Sequence, residues 1–96
     1  MAKISMDSAA QKHVSQRIQE RIKESTDQKK MVDVIKKLIT LTAPAEAVGQ
    51  FQYHIKVGSI GRVLLRGVMV RTVYSYNESY PNSPEYKISG STLVKA

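Results

Sequence analysis

The chain changes its rhythm halfway along. From residue 8 to about 42 the apolar positions recur every three or four residues; from residue 50 they alternate with polar ones. The first pattern is that of helices with one buried stripe, the second that of half-buried strands.

"MDSAAQKHVSQRIQERIKEST" predicts a helix over 8–25. Asp7 or Ser8 can cap it, and Gln11 follows Ser8 at the spacing of a capping box. Ala10, Val14, Ile18 and Ile22 make a narrow stripe that fits one groove rather than a surrounding core. Arg17, Glu20, Arg21 and Glu24 supply mixed charges at helical spacings, each pair worth ~0.2–0.5 kcal/mol. "TDQKKMVDVIKKLITLT" predicts a second helix over 28–42 with Asp27 as N-cap. Its stripe of Met31, Val34, Ile35, Leu38 and Leu41, widened by Val32 and Ile39, is broad enough to pack a sheet. Lys29, Lys30, Lys36 and Lys37 point away from that stripe, with Asp33 the one acid among them. "APAEAVG" reads as a short turn stopped by Gly49.

"QFQYHIKV" predicts a strand over 50–57, with Phe51, Tyr53, Ile55 and Val57 inward and Gln50, Gln52, His54 and Lys56 outward. A strand over 62–76 then places Val63 and Leu65 inward and Arg62 and Arg66 outward. For both inward sets to share a face, the connection must hold an odd number of residues. Gly58 to Ile60, with Gly61 as a left-handed bulge, satisfies this. An unbroken strand would bury Arg71, and an unpaired buried charge is costly. A bulge at Gly67, opposite Phe51, shifts the alternation by one. Val68, Val70, Tyr74 and Tyr76 then turn inward, and Arg71 joins Arg62 and Arg66 outside. "NESYPNSPEY" is a loop, and a last strand over 86–95, interrupted at Gly90–Ser91, pairs back on 68–76. The expectation is an α+β fold. Two N-terminal helices precede a three-stranded antiparallel meander, one face of which packs on the second helix and the other stays open.

Ninety-six residues suit a single domain, 1–96. Fifteen Lys and Arg against eight Asp and Glu give a net charge of +7, so an anionic partner is favoured: nucleic acid or an acidic protein surface. No cysteine is present, which removes disulfides and thiolate sites and suits a reducing, cytoplasmic setting. The N-terminus lacks the apolar run of a signal peptide, and no window is long and apolar enough to span a membrane.

The candidate site follows from the open face. Gln52, His54, Lys56, Arg62, Arg66 and Arg71 gather there without a carboxylate, since residues 47 to 77 hold four cationic side chains and no acid. Arginine forks suit phosphates and carboxylates alike. Tyr80, and by the same argument Tyr86, can stack on bases or anchor a protein interface. His13 and His54 have no partner at metal-ligand spacing, and no nucleophilic triad, acid pair or phosphate loop is seen, so neither metal, cofactor nor catalysis is expected. Two function classes stay open. One is a nucleic-acid-binding protein using the arginine face and the lysines of the second helix. The other is a protein-interaction subunit, an enzyme inhibitor or assembly component, docking on an acidic partner. Self-association, or docking into a larger assembly, is expected from the narrow stripe of the first helix and the edge left by the last strand. Two helices followed by strands carrying Lys56, Arg62, Arg66 and tyrosines also resemble, in element order, the RelE/ParE-type toxins. That resemblance implies RNA cleavage by basic and aromatic groups on a sheet.

Overall fold

The computed structural model describes residues 2–96. Its elements are β1 (Ala2–Lys3), α1 (Ser8–Arg21), α2 (Ser25–Leu38), β2 (Thr42–Ala43), α3 (Ala45–Val48), β3 (Tyr53–Val57), β4 (Gly61–Arg66), β5 (Met69–Ser75), β6 (Glu85–Ser89) and β7 (Thr92–Lys95). The α+β character stands. The three-stranded antiparallel meander does not: seven strands form one mixed sheet in the order β1-β2-β7-β6-β3-β4-β5.

The helices begin and end where local chemistry decides. Asp7 caps α1 by accepting from the Ala10 amide at 2.7 Å. Ile22 then leaves the helix for an extended conformation and is buried, so α1 stops well short of residue 25. α2 starts at Ser25 after Glu24, three residues earlier than expected. Asp27 is therefore inside the first turn, where its charge complements the helix dipole, rather than at the cap. The helix ends at Leu38; Thr40 donates its hydroxyl to the Lys37 carbonyl at 2.6 Å. Ala43 precedes Pro44 and is held out of the helical region, which leaves Thr42–Ala43 free to pair as β2. Gly49 ends α3, as the short turn required.

Both long predicted strands are hairpins. β4 and β5 join through Gly67–Val68, with Arg66 opposite Met69 and Gly67 at a φ of +61°, the glycine position of a tight two-residue turn. β6 and β7 join through Gly90–Ser91 in the same way, with Gly90 at +62°. The bulge is real but displaced. Leu64 pairs with Thr72 while Leu65 pairs with Val70, so the extra residue is Arg71. The β3–β4 connection has the three residues that alternation required, yet the left-handed glycine is Gly58 (φ +49°), not Gly61. Gly61 serves close approach: a Cβ there would lie 2.2 Å from the Tyr74 carbonyl oxygen and 3.1 Å from the Met31 methyl.

β6 does not return to β5. It pairs in parallel with β3, His54 opposite Glu85, so the 76–84 loop crosses the sheet to get there. β7 lies between β6 and β2 rather than at an edge, which removes the open edge of the last strand as a ground for self-association. Just past β1, Ser5 forms an isolated bridge with Met69 of β5. Its amide donates to Val68 at 2.9 Å and its carbonyl accepts from Val70 at 3.1 Å. The first strand thus joins both ends of the sheet, which curls into a half-barrel around the core.

Inside the curl lie Tyr53, Ile55, Val63, Leu65, Val70, Val73, Tyr86 and Leu93 from the strands, with Ile4, Val14, Ile18, Met31, Ile35 and Leu38. Both helices therefore cover this face, not the second alone. Tyr53 and Tyr86 meet edge to face at 5.2 Å. Tyr53 donates to the Gly67 carbonyl at 2.6 Å, and burial pushes its phenol up to about 12. Among the described residues no helix is long and apolar enough to cross a membrane.

Candidate functional site

The outer face of β3 and β4 carries the charge. Lys56 and Arg62 stand directly opposite each other, and Arg66 follows four residues along β4, about 13 Å away at strand rise. Like charges placed opposite across a strand pair repel. Here each is set against an aromatic ring. The Arg62 guanidinium lies 3.9 Å from the centroid of Tyr80 and 5.4 Å from that of Tyr76. Lys56 Nζ is 5.5 Å from Tyr76, and Arg66 is 4.6 Å from Phe51. Arg62 also donates Nη1 to the Tyr76 carbonyl at 3.3 Å. A guanidinium stacked on a ring keeps its N–H edge for an oxyanion while losing little conformational freedom.

Alternation puts His54 on this outer face, but it is not offered to solvent. The crossing loop lies over it and leaves the imidazole 3% exposed. Tyr80 meets its ring edge to face at 5.2 Å, and Nδ1 is in hydrogen-bond contact with the Ser83 hydroxyl at 2.9 Å. Nε2 is 3.6 Å from Glu85, so the parallel pairing of β6 brings a carboxylate to a face read as free of acids. Burial holds the His54 pKa below its usual value, the Arg62 charge pushes the same way, and Glu85 opposes both. Leu64 shares the outer parity and is buried too, apart from the main core cluster.

Lys56, Arg62, Arg66 and Tyr80 are thus brought together, with His54 beneath them as packing. Arg71 is not part of the row. Its bulge places it beside Asp7, Ala9, Ala10 and His13 at the start of α1. Lys29, Lys30, Lys36 and Lys37 are exposed on α2, which covers the inner face of the sheet, so they look to the other side of the molecule. Tyr86 is core rather than a stacking group. Two residues that complete the site are ones that alternation predicts for the interior. Phe51 is 72% exposed and Tyr76 42% exposed. Tyr76 follows from the second parity shift, at Arg71; Phe51 shares the inward parity of Tyr53 but precedes the start of β3, so alternation does not govern it.

Compared with known proteins, the chain matches no family model, no curated protein and no solved structure. The likeness in element order to RelE/ParE-type toxins gains no support from these comparisons.

Proposed function

We propose that the protein is a non-enzymatic nucleic-acid-binding protein that holds a single strand, RNA or DNA, across the outer face of β3 and β4. The observation that carries this reading is the interleaving of charge and ring. Lys56, Arg62 and Arg66 are each stacked on Phe51, Tyr76 or Tyr80. Phosphates would meet the cationic edges, and unpaired bases would stack on the exposed rings of Phe51 and Tyr76. The exposed rings fit a single strand better than a duplex, whose bases are already stacked on one another and turned away from the protein. His54 takes no part as acid or base in this reading, because Tyr80 and Ser83 cover it. A cytoplasmic setting, suggested by the cysteine-free chain, is where such a ligand would be met.

Fluorescence anisotropy with a labelled 12-mer, single-stranded or duplex, at several salt concentrations tests the proposal. The single strand should bind tighter than the duplex, with a log–log salt slope near −2, about 0.7 for each of three phosphate contacts. Replacing Lys56, Arg62 and Arg66 by Gln should abolish that slope, while a melting curve reports whether the fold survives. If the wild type shows no salt-dependent binding to either oligonucleotide, the reading is wrong. The exposed Phe51 would then favour the other class, a hot-spot side chain seated in a protein partner.

A further inference from the structure

On the opposite side of the molecule α1 and α2 leave a groove between them. Its floor is Val14, Ile18 and Ile35, and Val32 of α2 with Ile39 at its C-terminal cap forms one wall. The groove continues past Val32 toward the interhelix turn. The apolar stripe of α2 is wider than the core requires. Met31, Ile35 and Leu38 are fully taken up, whereas Val32 remains 36% exposed. Val32 and Ile39 are one heptad apart, and so are Lys29 and Lys36, each lysine three residues before its apolar neighbour. Two parallel rows result, one apolar and one cationic. Lys36 and Lys29 line the two parts of the groove, and no carboxylate lines either. The acids of α2 are on its other flank: Asp27 and Asp33 border, with Lys30, a separate hollow beside the β3–β4 turn.

We infer that this groove receives an amphipathic helical segment of an acidic partner protein. Such a segment lays its own apolar heptad row on Val32 and Ile39 and sets Asp or Glu against Lys29 and Lys36. A groove flanked by helices of 14 residues is about 21 Å long and accommodates about four turns. A nucleic-acid strand is a poor occupant, because the floor is apolar. A second copy is disfavoured by charge, since each chain carries +7. The groove stands independently of the strand face and of the function proposed for it.

The experiment uses two labelled synthetic helical peptides of about 16 residues, long enough to span the groove. Both carry Leu at heptad positions; one has Glu on the flanking positions, its twin Lys. The Glu peptide should bind saturably and the Lys peptide should not. A Lys29→Glu/Lys36→Glu variant should lose about tenfold or more in affinity for the Glu peptide and gain the Lys peptide, the reciprocal expected of paired charges. Val32→Gln, at a position 36% exposed and outside the core cluster, should weaken the Glu peptide without moving the melting temperature. The inference is overturned if the Glu peptide does not bind, or if the double reversal leaves its affinity unchanged. It is equally overturned if light scattering shows a wild-type dimer that Val32→Gln dissociates, since a second copy would then be the occupant.

Discussion

His54 is a side chain whose burial sets a response to pH. The unfolded chain exposes it, with an ordinary pKa near 6.5; in the fold, Tyr80 and Ser83 exclude water, Arg62 repels the imidazolium and Glu85 only partly offsets both. A base with a lowered folded pKa binds fewer protons folded than unfolded, so stability is full above pH 6.5 and declines as the pH falls toward the folded value. Melting temperature should therefore drop between pH 7 and pH 5, and His54→Gln should flatten that drop in parallel thermal scans. Two glycines make a contrasting pair. Gly61→Ala sets a methyl 2.2 Å from a backbone oxygen and should cost more than about 2 kcal/mol in denaturant titration, as overpacking does. Gly67→Ala meets nothing within 4 Å and should cost only about 1–2 kcal/mol, the left-handed penalty of a side chain. His54 also marks a limit of sequence reading. Alternation places it on the outer face, but a face is not an exposure, and the covering side chains, Tyr80 and Ser83, come from a loop far along the chain, Ser83 being 29 positions away.

At the level of elements, the helical half and the strand-rich half were legible from period alone, whereas the number of strands was not. A two-residue turn and a one-residue bulge shift side-chain parity in the same way. The inward positions Leu65 and Val70 fit a bulge at Gly67 as well as the hairpin that is there. The second shift, at Arg71, restores the original parity, which is why Tyr74 and Tyr76 do not turn inward and Arg71 leaves the row. The pairs Ala2–Lys3 and Thr42–Ala43 are too short to show any alternation. They exist because the sheet gives them partners. The seam they make can be loosened selectively. Ile4 is 1% exposed, and Ile4→Ala should cost about 2–5 kcal/mol. Hydrogen exchange should show the Ser5 and Val70 amides opening together while the amides of β3 and β4 stay protected.

For the molecule as a whole, +7 of net charge does not form one continuous surface. The stacked cations face one way and the lysines of α2 the other, with Arg71 beside the start of α1. Arg71→Gln, and Lys29→Gln with Lys36→Gln, should each leave the salt slope of oligonucleotide binding within about 0.7 of wild type. The Lys56, Arg62 and Arg66 variant should change it by about 2. Anisotropy titrations on the three proteins in one buffer series decide this. The joining of both sheet ends through Ser5 has a further bearing, on how a newly made chain acquires its shape. Residue 5 must wait for residue 69, and Thr42 for Thr92. The Ser5 bridge cannot form until residue 69 has been synthesised, nor the Thr42 pairing until residue 92 has. Closure of such long loops slows folding, toward milliseconds to seconds for sheets dominated by non-local pairing. In that interval the apolar stripe of α2 is bare on a nascent chain, so the ribosome-bound fragment, not the finished protein, is the form most exposed to aggregation.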